Sequence, residues 1–203
     1  MQLSKDNELI VIHDQTFERT SNGSGPIGDL TLEEIRKLDA GSWFHEKFAG
    51  ERIPTLGEVL ELCRGKIGVL IEIKCAYLYP GIEQKLADEL IARRMHIPTE
   101  ERVVVQSFEL ASVQRFHAIN SDIPVGLLVS KEMDLDEDKL TELAVYADYF
   151  NPLINLVTDE LVELIHAKGL KIFTWTVRSR DVVPALLKSG VDGIITDYPD
   201  YIE

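Results

Sequence analysis

The sequence predicts an α/β fold built as a (β/α) barrel, and three observations carry that expectation. From residue 55 onward short apolar runs alternate with helical patterns, and strands separated by single helices pair in parallel through crossovers. Those strands read as near-continuous apolar runs, as a parallel sheet covered on both faces requires, and so many units in 203 residues suit a barrel better than a smaller flat sheet. Polar or aromatic exceptions gather at the strands' C-terminal ends: His13-Asp14, Glu72 and Lys74, Gln106 to Phe108, Asn151, Trp175 and Asp197. Barrels carry their active sites at that end. A flat doubly wound sheet binds ligands there too, so the pattern argues for a site more strongly than for closure.

Taken in order, the run Glu8-Leu9-Ile10-Val11-Ile12 reads as a strand ending at His13. Residues 15–54 break the rhythm and look like an insertion: a Ser21 to Pro26 turn, a helix from Thr31 to Leu38 opened by a Thr31/Glu34 capping box, and a Gly41 to His45 loop. Such a loop either covers a site or packs Trp43 and Phe44 inward. Thr55 and Glu58 form a second capping box ahead of Leu56, Val59 and Leu60, with Gly65 suited to the helix end. Then come strand 69–74, a helix through Ile82, Leu86 and Leu90, strand 103–108, a helix through Leu110, Val113 and Phe116, strand 125–129 and helix 140–147. A short strand at 149–151, a helix at 161–167 closed by Gly169, strand 172–177, a helix at 182–188 closed by Gly190 and strand 193–197 complete the chain.

Hydrophobic residues make up 45% and charged residues 28%, which suits a single globular domain over residues 1–203 rather than a disordered chain. The formal net charge of −14 argues against an extended nucleic-acid or anionic-membrane footprint, so an anionic substrate would need a local cation. Cys63 and Cys75 match no zinc or redox spacing and read as reduced thiols of a cytoplasmic protein. No run reaches the roughly 20 apolar residues of a membrane span, and the opening residues lack a signal-peptide apolar region.

Glu72 and Lys74 stand two positions apart in V-L-I-E-I-K, on one face of a strand. Charges do not belong in an ordinary strand core unless paired or holding a ligand. A carboxylate beside an ammonium can hold a metal cation and a phosphate side by side, one half of a phosphodiester-cleaving site; the plain alternative is an ion pair that satisfies itself. His13 at a strand terminus suits a general acid or base, against a structural histidine. His45, His96, His117 and His166 read as surface or packing residues without metal-ligand spacing. Trp175 offers an apolar wall for a polyol if it points inward, and core packing otherwise. Asp197 faces the pocket or caps the next turn.

Six segments in order, S-K-D-N-E-L-I-V-I-H-D, G-S-W-F-H-E-K-F-A-G-E-R-I-P-T-L-G-E-V-L, V-L-I-E-I-K, V-V-V-Q-S-F, T-W-T-V and G-V-D-G-I-I-T-D-Y-P-D, resemble the glycerophosphodiester phosphodiesterase family over nearly the whole chain. The resemblance implies a (β/α)8 TIM barrel of the phospholipase C-like phosphodiesterase type that hydrolyses glycerophosphodiesters to glycerol 3-phosphate and an alcohol with a divalent cation, Mg or Ca. It assigns His13 as an acid/base histidine, Glu72 as a metal ligand, Lys74 as the phosphate-binding lysine, and Phe108 and Trp175 as substrate-binding wall. In the family's proposed mechanism a substrate hydroxyl attacks phosphorus with histidine assistance, and water then opens the cyclic product. Family members carry a strand ending in H-R-G, a helix and a strand with E-x-D ahead of the equivalent of Gln2 to Asp6, so the expectation is a barrel lacking about its first two strands and first helix. That reading implies weak metal binding, reduced activity and self-association through exposed barrel edges. The rival reading is a non-catalytic phosphate-binding or scaffold relative that keeps Lys74 and the pocket.

Overall fold

Local signals decide where the helices begin. In the computed structural model, which describes residues 1–97, 102–131 and 137–202, the Thr31 side chain accepts from Glu34 N while the Glu34 side chain reaches back to Thr31 N, opening α1 (Leu32–Ile35). Thr55 and Glu58 repeat this reciprocal cap at the start of α2 (Leu56–Cys63). Losing such a cap costs about 1 kcal/mol. The chain divides into two compact units, Met1–Val103 and Val104–Glu203.

In the first unit β1 (Gln2–Leu3) pairs antiparallel with β2 (Leu9–Ile10), Gln2 opposite Ile10 and Leu3 opposite Leu9. This corrects the expectation of a barrel strand over residues 8–12. Ser4 closes a tight turn, its amide donating to Glu8 O at 3.0 Å and its hydroxyl accepting from Glu8 N at 2.8 Å, and Asn7 takes a left-handed φ of 64°. A connection that short joins antiparallel strands and leaves no length for a crossover. His13 therefore lies in a bend after β2 rather than at a strand terminus.

Residues 15–54 pack back onto β2: Ile10, Ile12, Phe17, Ile27, Ile35 and Ile53 are buried together, with Leu30, Leu32, Leu38 and Ala40 against them. Each fully buried side chain of this size contributes about 1.5–3 kcal/mol. The expected helix over Thr31 to Leu38 is shorter, ending at Ile35 and continuing as turns. β3 (Val69–Glu72) follows α2, and residue 1 lies alongside it, its backbone nitrogen donating to Glu72 O at 2.5 Å and its carbonyl accepting from Lys74 N at 3.3 Å. α3 (Ile82–Ala92) buries Ile82, Leu86 and Leu90, spaced by four.

The second unit is a run of parallel strands linked by helices. β4 (Val103–Ser107), which begins at the last residue of the first unit, pairs with β5 (Val125–Val129) through α4 (Leu110–Ile119), and β5 pairs with β6 (Tyr149–Pro152) through α5 (Glu137–Leu143). Parallel bridges Tyr149–Lys171 and Leu153–Trp175 join β6 to β7 (Phe173–Val177) after α6 (Asp159–Ala167). α7 (Val183–Ser189) ends at Gly190, whose φ of 88° is the left-handed cap expected there, and β8 (Gly193–Thr196) pairs with β7. All five residues of β5 are buried.

Candidate active site

The ladder beside β3 presents Glu72 and, two residues on, Lys74, with Nζ 3.9 Å from Oε1: an ion pair too long for a hydrogen bond. The same Nζ lies 3.0 Å from His13 Nε2. An ammonium only donates, so Nε2 is the unprotonated, accepting nitrogen and the ring proton sits on Nδ1. Nδ1 in turn faces Asp14 Oδ1 at 2.6 Å and donates to it. Arg19 donates to the same carboxylate from Nε to Oδ2 at 2.5 Å and from Nη2 to Oδ1 at 2.9 Å. Hydrogen bonds from Arg19, then from His13, hold Asp14 well below the usual carboxylate range.

Two further contacts hold this bend. Gln2, fully buried, donates its side-chain amide to the Asp14 carbonyl and accepts from Tyr79 Oη at 2.9 Å, while Gln15 Nε2 donates to Cys75 Sγ at 2.7 Å. The residue after Lys74 thus touches the residue after the His13–Asp14 pair.

Glu72 Oε1 is buried without a hydrogen-bond partner among the described residues, as a cation ligand would be. The described residues bring no group of three His, Cys, Asp or Glu side chains to one point, whereas Mg and Ca want six or more oxygens. They supply one carboxylate of such a set, not the whole.

Within the second unit, Phe108 and Trp175 meet edge to face at 5.2 Å between ring centroids. Trp175 Nε1 donates to Asn151 O at 2.8 Å, fixing the indole. Asn151, completely buried, accepts from Phe173 N at 3.0 Å and donates from Nδ2 to Gln106 Oε1 at 2.8 Å. Phe108 remains 42% exposed, so the pair presents apolar surface rather than disappearing into the core.

The sequence profile of the glycerophosphoryl diester phosphodiesterase family matches residues 1–201. The chain belongs to that family. It is 45% identical over 202 residues to a glycerophosphodiester phosphodiesterase of Caldanaerobacter subterraneus subsp. tengcongensis, covering 98% of this chain and 81% of that protein. A Bacillus subtilis glycerophosphodiester phosphodiesterase is 36% identical over 212 residues, with 98% and 72% covered. Among solved structures, an Oleispira antarctica phosphodiesterase in complex with the product sn-glycerol-3-phosphate superposes with a TM-score of 0.87 at 27% identity, covering 99% of this chain and 80% of that one. The fold class is accordingly α/β, of the (β/α)-barrel kind found in glycerophosphodiester phosphodiesterases.

Of the positions picked out in the sequence, His13, Glu72 and Lys74 come together in the first unit, and Phe108 and Trp175 in the second. Asp14 stands in the sequence only as a polar exception beside His13, with no role assigned, and Arg19 is not singled out; H-D followed by Arg five residues on was the available signal. Asp197 does not cap the next turn. The Thr196 hydroxyl accepts from Tyr198 N at 3.0 Å, and Asp197 faces Arg178 at 3.4 Å, both of them largely exposed. His45 caps a short turn by accepting from Lys47 N, and His166 pairs with Asp192 at 2.9 Å. Cys63 and Cys75 are free thiols. No helix among the described residues is long and apolar enough to cross a membrane.

Proposed function

We propose that this glycerophosphodiester phosphodiesterase releases glycerol 3-phosphate and an alcohol from its substrate, with His13 as acid/base, Lys74 as the phosphate cation and Glu72 as one ligand of a divalent cation. The observation that carries the reading is the pair of contacts on His13: Lys74 at 3.0 Å on Nε2 and Asp14 at 2.6 Å on Nδ1. In this arrangement Lys74 occupies the lone pair that a base must use. A phosphoryl oxygen is a stronger acceptor for an ammonium than a neutral imidazole nitrogen, so an arriving diester draws Lys74 off and opens Nε2. Nε2 then takes the proton of the attacking hydroxyl while Asp14 stabilises the imidazolium that forms. As the P–O bond to the leaving group breaks, the same proton passes to the departing alcohol oxygen, and water then opens the cyclic glycerol phosphate to glycerol 3-phosphate.

A bound divalent cation would add Lewis-acid stabilisation of the phosphoryl oxygens. Mg or Ca suits Glu72, a hard oxygen donor, and separate titrations with each ion distinguish them. Phe108 and Trp175 are proposed as the wall against which the glycerol moiety lies. Free thiols fit a cytoplasmic setting, and one family profile across residues 1–201 fits a single functional domain. Self-association along β8, all four of whose residues are only partly buried, completes the proposal and is read by light scattering.

The test is enzymatic release of glycerol 3-phosphate from glycerophosphocholine with Mg or Ca and with a chelator control. Loss of chelator-sensitive release in Glu72→Ala, and in His13→Ala or Lys74→Met, is expected. Wild-type protein that is folded yet releases nothing overturns the assignment of these residues.

A further inference from the structure

The second unit holds a largely buried glutamine whose amide nitrogen faces open space rather than a protein acceptor. Gln106 is 6% exposed, and its Oε1 is taken by Asn151 Nδ2. Asn151 cannot be turned end for end, because its Oδ1 accepts from the Phe173 backbone N–H, which only donates. That contact fixes Nδ2 as the donor toward Gln106, which fixes Gln106 Oε1 as the acceptor and leaves its Nε2 pointing elsewhere. Among the described residues Nε2 has no hydrogen-bond partner. The two side chains reach each other across the intervening strand β5 at Gly126, which stands opposite Gln106; a Cβ there would come 3.0 Å from Asn151 Nδ2. Orientation of the amide is thus set by the backbone of β7, two strands beyond β5, before any ligand arrives.

Although Gln106 as a residue is largely buried, its Nε2 is itself open to solvent, so a ligand can reach the oriented donor. Phe108, two positions after Gln106 and just beyond the end of β4, packs on Trp175, whose indole is held by the same Asn151 that bonds Gln106. The free donor therefore neighbours an aromatic wall. Phosphate oxygens favour charged donors, whereas a neutral, fixed amide beside aromatic rings suits a neutral hydroxyl on a short carbon chain. Resting on the reading of this chain as a glycerophosphodiesterase, we infer that Gln106 Nε2 donates to a glycerol hydroxyl of the substrate and selects diesters that carry a glycerol moiety.

The experiment follows the side-chain amide resonances of Gln106 in ¹⁵N-labelled protein, assigned by their loss in Gln106→Met, during titration with glycerol 3-phosphate and separately with inorganic phosphate. A shift with glycerol 3-phosphate that inorganic phosphate does not reproduce is expected. Alongside it, Gln106→Met should lower kcat/KM for glycerophosphocholine about tenfold, chiefly through KM, with kcat within about twofold. An equal shift with inorganic phosphate overturns the hydroxyl assignment, and a fall carried by kcat with KM unchanged reduces Gln106 to a packing role. Wild-type turnover of glycerophosphocholine with unmoved Gln106 resonances overturns this inference while leaving the enzymatic reading intact. Absence of turnover with a glycerol 3-phosphate-specific shift does the reverse.

Discussion

His13 has a cation on one nitrogen and an anion on the other, and that asymmetry settles its tautomer without any hydrogen being seen. Replacing Asp14 by Asn keeps the shape but permits the other tautomer, placing a proton on the nitrogen that must accept one. Asp14→Asn is expected to lower kcat about 10²–10⁴-fold with Tm little changed, measured by glycerol 3-phosphate release and calorimetry; an unaltered kcat removes Asp14 from the machinery. The Asp14 carboxyl titrates below its ordinary 3.8 because Arg19, then His13, bond to it. A depressed carboxylate adds stability that is complete above about that pH and is lost as the pH falls through the lower folded value. Arg19→Ala should move the Asp14 midpoint upward, toward 3.8, read by carboxyl ¹³C NMR, and shrink Asp14's share of the acid loss of stability, since the folded and unfolded values then nearly coincide. A midpoint that stays put excludes Arg19 as the cause.

At the scale of elements, the segment 15–54 is held by one apolar plug and one acidic hub. Phe17 is fully buried among Ile10, Ile27, Ile35 and Ile53, so Phe17→Ala should cost about 3–5 kcal/mol in urea unfolding. A loss under about 1 kcal/mol would mean that the site collapses around the smaller side chain. Asp39 accepts from Gly41 N, Ser42 N and Oγ, and Gly50 N, which holds its carboxyl well below the usual range and ties both ends of the loop carrying Trp43 and Phe44. Those aromatics are 51% and 70% exposed, so the hub rather than core burial orders the loop. Asp39→Ala is expected to speed amide exchange at Gly41, Ser42 and Gly50 about tenfold or more. Helix starts at Thr31 and Thr55 were legible beforehand because a capping box spans three residues and needs nothing distant. The hairpin of β1 and β2 was not: four apolar residues in a row, 9–12, look the same in a hairpin arm as in a covered parallel strand, and only the turn at Ser4 to Asn7 separates the two.

For the molecule as a whole, a net charge of −14 repels an anionic substrate over distances of a Debye length, about 30 Å at 0.01 M salt and about 8 Å at 0.15 M. kcat/KM for a net-negative diester such as glycerophosphoglycerol should therefore rise over that range, while zwitterionic glycerophosphocholine responds little; equal responses would assign the effect to something other than the overall field. By itself the sequence determined the family, the alternation of strands and helices, and the residue types of the site, because periodicity, caps and short motifs are written in neighbouring positions. Only the tertiary structure decided which nitrogen of His13 is basic, since that depends on Lys74, 61 residues away. It also decided that Gln106 presents its donors, since its orientation is set by Asn151, 45 residues on, and by the backbone of β7. Both are hydrogen-bond directions, which arise from groups that the chain brings together only on folding.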